Sequence, residues 1–188
     1  DTVLTAEFAQ TYSGQCGDNL YWAYDENNKT ISITGSGDMY DYTKATQPWL
    51  LFQEQITEVT TSNTTTGIGT SAFEGCIRLA KVSLGSGMEN IAANAFAGCN
   101  RLYDIYCYAS YPPFADESSF ANYNVYVYIP CENQRDYMLD VVWGKFKFIE
   151  CIGAESDETD GDNVTITPGS NDVTITWPTD PNAETYVI

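Results

Sequence analysis

The stretch Ile68–Leu84, "IGTSAFEGCIRLAKVSL", is followed by Ile91–Cys107, "IAANAFAGCNRLYDIYC". Laid over one another at a spacing of 23 residues, they match at Ile68/Ile91, Ala72/Ala95, Phe73/Phe96, Gly75/Gly98, Cys76/Cys99, Arg78/Arg101, Leu79/Leu102 and Val82/Ile105. A fixed period of this length is that of a solenoid whose every coil is one strand and one turn. Such a unit cannot bury its apolar side alone, so neighbouring coils must stack and share a core.

Two further copies extend the pattern. Ile56, Val59 and Thr61 stand 23 residues before Leu79, Val82 and Leu84, which stand 23 before Leu102, Ile105 and Cys107. Within each trio the last two positions alternate, so they point to one side of a short strand, inward. A degenerate copy follows in "SSFANYNVYVYIP", with Phe120 one residue out of register and Val125, Val127 and Ile129 facing inward. The same register assigns the outward columns: Glu58, Lys81, Asp104; Thr60, Ser83, Tyr106; and Ser62, Gly85, Tyr108, joined by Tyr126 and Tyr128.

The flanks read differently. Leu20–Tyr24 and Thr30–Ile33 alternate around the polar connection Asp25-Glu26-Asn27-Asn28, which predicts a β-hairpin. Pro48 opens a short helical turn that carries Trp49 and Phe52 inward. Residues 130–151 break the period, and Tyr137, Trp143, Phe146 and Ile149 predict a short helix and a last strand closing the stack. A terminal coil needs such a cap because its apolar side would otherwise meet water. The expected organisation is a hairpin cap over residues 1–40, repeats with a closing cap over 41–151, an acidic linker over 152–162 and a partial β-module over 163–188.

Charge and composition remove several functions. Eight Lys and Arg against 26 Asp and Glu give a formal net charge of −18. Nucleic-acid binding needs basic side chains to release counterions, so it is excluded, and an anionic membrane surface repels the chain. Without histidine there is no Ser-His-Asp or Cys-His chemistry and no imidazole metal ligand. No cofactor is expected. The opening "DTVLTAEF" has no signal-type apolar core, as in a mature secreted domain after processing; a shortened piece of a longer protein reads the same.

With these residues in view, the chain resembles the BspA-like leucine-rich repeat family of bacterial surface proteins. "IGTSAFEGCIRL" and "IAANAFAGCNRL" match that family's pattern I-(G/A)-x-x-A-F-x-G-C-x-x-L. "SGQCGDNLYWAYDENNKTISITGSGDMYDY" is similar to the hairpin cap that precedes such repeats, and "VYVYIPCENQRDYMLDVVWGKFKFIE" to the closing segment. The tail resembles the first strands of a fibronectin type III-like module, with Trp177 and Tyr186 at core positions. The resemblance implies a leucine-rich-repeat solenoid, rich in β-structure with short helical turns. It also implies a secreted or cell-surface location on a bacterium.

Six cysteines invite a metal or redox reading. Cys76 and Cys99 lie one repeat apart, where a ladder of small buried side chains is the simpler account. Cys131–Cys151 is the favoured disulfide in the closing segment, with Cys107–Cys131 or no disulfide as the alternatives. Asp157, Asp160 and Asp162 do not fit calcium-loop spacing, so "SDETDGDN" reads as a solvated linker.

The candidate binding surface is the outward face carrying Lys81, Ser83, Asp104, Tyr106, Tyr108, Tyr126 and Tyr128, expected to be concave. Tyrosine is rigid and amphipathic, which suits an extracellular protein or glycan partner; rings packed on one another for edge protection are the competing expectation. The leading function is therefore a non-catalytic interaction module. A structural spacer and a carbohydrate-active enzyme or accessory module are the alternatives, and the enzyme requires a pocket with two carboxylates. Three strands cannot complete a fibronectin-like sandwich, so residues 163–188 are expected to continue into further chain, to dock, or to self-associate.

Overall fold

The computed structural model describes residues 12–152 and, beyond them, the short strands 165–168, 173–176 and 186–187. The chain divides into two compact units between Ile152 and Gly153. The linker residues 153–162 lie outside the described residues, as do Val164 and Trp177. In the second unit, Thr165–Pro168, Val173–Thr176 and Tyr186–Val187 form a three-stranded antiparallel sheet in that order.

The first unit begins with β1 (Tyr12–Gln15), β2 (Gly17–Asp25) and β3 (Thr30–Met39), paired antiparallel as the expected hairpin with one added strand. β3 is long enough to serve two ladders. Its first half, Thr30–Ile33, starts a parallel ladder of β4 (Glu58–Thr61), β6 (Lys81–Leu84), β8 (Asp104–Cys107), β10 (Tyr126–Ile129) and β11 (Phe148–Cys151). Its second half, Gly37–Asp38, starts another, of β5 (Thr65–Ile68), β7 (Asn90–Ile91) and β9 (Phe114–Ala115). Successive coils thus contribute one strand to each ladder as far as β9, and two of them close through the turn of the AFxGC motif. This is a leucine-rich-repeat solenoid.

The inward positions follow the sequence register. Val59, Val82, Ile105 and Val127 are buried at matching places in successive strands, as are Leu84, Cys107 and Ile129. Thr61 departs from expectation: it is only half-buried, and its hydroxyl accepts the Gly85 N–H at 2.8 Å. Gly85 is not an outward position either. A Cβ there would lie 2.1 Å from the Ser62 carbonyl oxygen, so only glycine lets the two coils approach at this corner.

The motif turns form the third side. Phe73 N–H donates to Ala95 O and Gly75 N–H to Ala97 O, both at 2.8 Å, so each turn is bonded to the next. Gly75 and Gly98 sit at φ +79° and +75°, the left-handed region that favours glycine, which explains why both copies of the motif carry glycine there. Phe73, Phe96 and Phe120 stack nearly parallel at 5.5 and 5.7 Å, and Trp49 extends the stack from Phe73 at 4.7 Å. The one-residue slip at Phe120 is absorbed by Ser119. It stands at the alanine position before the phenylalanine and satisfies its buried hydroxyl on Ile91 O and Ala92 O, each at 2.9 Å.

Both ends of this core are covered, and the covering groups satisfy backbone that the missing next coil would have bonded. At the front, Trp49 Nε1 donates to Ala72 O at 2.9 Å and Gln47 Nε2 to Ser71 O at 2.6 Å. At the back, α1 (Gln134–Leu139) places the Tyr137 hydroxyl on Ala109 O at 2.8 Å, and Trp143 Nε1 reaches Pro113 O at 2.7 Å. Tyr137, Trp143 and Phe146 are buried as expected, whereas Ile149 is partly exposed.

Candidate functional site

The outward residues of the long ladder form two rows. One runs Thr30, Glu58, Lys81, Asp104, Tyr126, Phe148; the other runs Ser32, Thr60, Ser83, Tyr106, Tyr128, Glu150. Parallel strands lie about 4.8 Å apart, close to the stacking distance of two rings, so aromatic residues at one register position meet face to face. Tyr106 and Tyr128 stack at 4.4 Å and Tyr126 and Phe148 at 4.2 Å, with 13° and 9° between planes. Tyr126 and Tyr128 approach at 6.5 Å, linking the rows.

Sequence placed Tyr106, Tyr126 and Tyr128 on one surface, and the structure brings them together in a single patch. Phe148 belongs to that patch and was not foreseen, because the register of the last strand is hidden by the irregular cap between β10 and β11. Stacking covers the facing ring surfaces but does not bury the patch, since Tyr126 keeps 41% of its surface exposed. Tyr108, beyond the end of β8, keeps 42%.

The polar half of the face is held by Lys81. Its Nζ lies 3.1 Å from Glu58 Oε1 and 5.2 Å from the centre of the Tyr106 ring, an ion pair and a cation–π contact at once. The hydrogen bond to Glu58 holds the Lys81 ammonium above its usual range. Ser83 lies between Thr60 and Tyr106 in the second row. Burial raises the Asp104 carboxyl, against the opposing pull of Lys81, and burial followed by the Asp104 charge raises the Tyr128 phenol. The patch is therefore an aromatic surface with a cation at one side and, between that cation and Tyr126, a partly desolvated carboxylate.

All six cysteines are thiols in this structure. Cys76 and Cys99 are buried in the core, where desolvation pushes Cys99 up to about 12 and Cys76 upward as well. Cys107 is buried against the Tyr137 hydroxyl at 3.3 Å, so the alternative Cys107–Cys131 pairing has no geometric support. Cys131 is exposed and Cys151 half-buried in the closing segment, where the neighbouring Cys131 thiol raises Cys151. Among the described residues no cluster of three Cys, Asp or Glu could hold a metal ion, and no helix is long and apolar enough to cross a membrane.

No curated protein matches the chain. Among solved structures it is similar to a leucine-rich repeat protein from Eubacterium ventriosum ATCC 27560, at 16% identity and a TM-score of 0.48, covering 88% of this chain. The chain spans about half the length of that protein, 48%. No comparison supports the fibronectin type III-like resemblance of the tail. Residues 51–138 match the family model described as BspA type leucine rich repeat region (6 copies), which places the repeat region, from the turn of Trp49 to the closing helix, in similarity to that family.

Proposed function

We propose that this chain is a non-catalytic interaction module of a bacterial surface or secreted protein. It engages an extracellular protein or glycan through the face formed by Tyr106, Tyr108, Tyr126, Tyr128 and Phe148, with Lys81, Ser83 and Asp104 beside it. A repeat region of the BspA type supports an interaction role. The observation that carries the choice of surface is the continuous, part-exposed tyrosine patch on an otherwise polar sheet. Rigid rings already held by stacking lose little conformational freedom on binding, which is what a recognition surface requires.

The enzyme alternative asks for paired carboxylates in a pocket. Asp18 and Asp38 do share a surface depression, but both are exposed, and each already accepts a hydroxyl, from Tyr40 at 2.9 Å and from Thr66 at 2.5 Å. That arrangement favours binding the loops together rather than acid–base work. The test of the proposal is an array of host glycans and extracellular-matrix proteins probed with the full chain and with the Tyr106→Ala/Tyr128→Ala variant. A ligand captured by the parent and lost at least roughly tenfold by the variant is expected. Equal capture by both chains would remove the tyrosine face from the account, and capture of nothing would favour the spacer.

A further inference from the structure

The chain has only eight lysines and arginines, and their placement is uneven. Arg78 and Arg101 occupy the same position of successive coils, each three residues ahead of the ladder neighbours Lys81 and Asp104. Both are exposed, and both line one surface depression with Thr57, Ala80 and Tyr103. Thr57, Ala80 and Tyr103 immediately precede β4, β6 and β8, so the depression crosses three coils along the edge where the chain enters the ladder. Lys29 and Lys147 hold the equivalent place ahead of β3 and β11.

The polar groups of this depression are unbalanced. Thr57 O already accepts the Ala80 and Lys81 N–H groups at 2.9 and 3.2 Å. Ala80 O accepts those of Tyr103 and Asp104 at 3.1 and 3.2 Å, and the Thr57 hydroxyl is turned to Asn28 O at 3.3 Å. The two guanidiniums, by contrast, make no hydrogen bond or ion pair among the described residues, in a chain with 26 acidic side chains. Two forks of donors from adjacent coils thus line one depression without a protein acceptor among the described residues. A carboxylate is the group whose geometry they match. Beside them the Tyr103 ring is 55% exposed, a flat apolar wall of the kind on which a sugar ring packs.

We propose that Arg78, Arg101 and Tyr103 form a subsite for a uronic acid residue of an extracellular polysaccharide, the carboxylate held by the guanidiniums and the pyranose ring against the tyrosine. The net charge of −18 disfavours a densely charged polyanion, which limits the ligand to no more than a single carboxylate on each ring. An acidic peptide could supply the carboxylate but makes no use of the aromatic wall. The subsite rests on the reading of the chain as an interaction module, but not on the Tyr106–Tyr128 face.

The experiment is calorimetric titration of the full chain with tri-galacturonic acid, neutral galactotriose and a hexaglutamate peptide. Tri-galacturonic acid is expected to bind and galactotriose not to, with affinity falling as salt rises. Arg78→Gln and Arg101→Gln should each weaken binding roughly tenfold or more, with thermal transitions unchanged because both side chains are exposed. Tyr103→Ala should weaken it as well, while Tyr106→Ala/Tyr128→Ala should leave it intact, so that failure of this subsite and failure of the tyrosine face are told apart. The proposal is overturned by no binding of tri-galacturonic acid, by equal binding of galactotriose, or by tighter binding of hexaglutamate. Unchanged affinity in both arginine variants would overturn it too.

Discussion

Truncating Phe96 removes the middle of the aromatic column. Its ring is fully buried between Phe73 and Phe120, stacked on both within 6 Å. Returning a buried phenylalanine side chain to water loses about 3 kcal/mol of transfer free energy at most. The vacated volume, roughly 100 Å³ if nothing collapses, adds about 2 kcal/mol at the usual cavity coefficient. Relaxation is restricted, because both neighbours are held by bonds between turns, Phe73 N–H to Ala95 O and Phe96 N–H to Ser119 O. Phe96→Ala should therefore cost about 4 kcal/mol, which for a chain of this size lowers the midpoint by roughly 8–16 °C. Phe96→Leu refills most of the space and should cost no more than half as much. The assay is thermal unfolding followed by tryptophan fluorescence, since Trp49 and Trp143 are buried at opposite ends of the core. Ser83→Ala, on the outward face, is the reference and should stay within about 0.5 kcal/mol. A Phe96→Ala midpoint no lower than that of Ser83→Ala would refute the shared column.

Three further outcomes are expected. Alanine at Gly98 meets only the left-handed backbone penalty, about 1–2 kcal/mol, while at Gly75 a Cβ would also lie 3.3 Å from Gln53 Nε2, which is held on Gln47 Oε1 and Glu74 O; chemical denaturation should rank Gly75→Ala the less stable. Because burial raises the Asp104 carboxyl in the folded chain, its contribution is intact below the unfolded pKa and is lost as pH rises through the folded value. Asp104→Asn should accordingly raise the melting temperature at pH 7 relative to its effect at pH 3, and a larger gain at pH 3 would contradict the burial argument. Peptide mapping after exposure to an oxidised small-molecule disulfide should find Cys131 joined to Cys151 and the four buried thiols unmodified; a Cys76–Cys99 link would contradict the buried ladder.

The parts of this fold that were legible in sequence are those fixed within one coil and then repeated. The spacing of Leu79, Val82 and Leu84 encodes a strand with an inner side, and repetition at 23 residues gives its neighbour and its register. The second ladder was not legible, because Asn90–Ile91 and Phe114–Ala115 are too short to alternate and are strands only through the coils beside them. Gln47 and Gln53 were equally silent, since their side chains act through tertiary contacts with the first motif turn, at Ser71 O and Glu74 O. At the candidate site the rows could be read and the ring geometry could not. Stacking depends on rotamers and on the strand spacing, and Phe148 joins the patch only through the pairing of the closing strand. Arg78 and Arg101 were visible as a repeated pair, but their common depression and lack of partners emerge only in three dimensions.

The claim that the ladder face is the recognition surface is tested most directly by hydroxyl-radical footprinting of the full chain, alone and with a ligand captured on the array. Tyr108 and Tyr126 are exposed on that face, whereas Tyr40, past the end of β3, and Tyr111, in the loop after β8, are exposed outside the ladder rows and serve as internal references. The account predicts that ligand slows oxidation of Tyr108 and Tyr126 severalfold and leaves Tyr40 and Tyr111 unchanged. Protection of Tyr40 or Tyr111 with no change at Tyr108 and Tyr126 would contradict it.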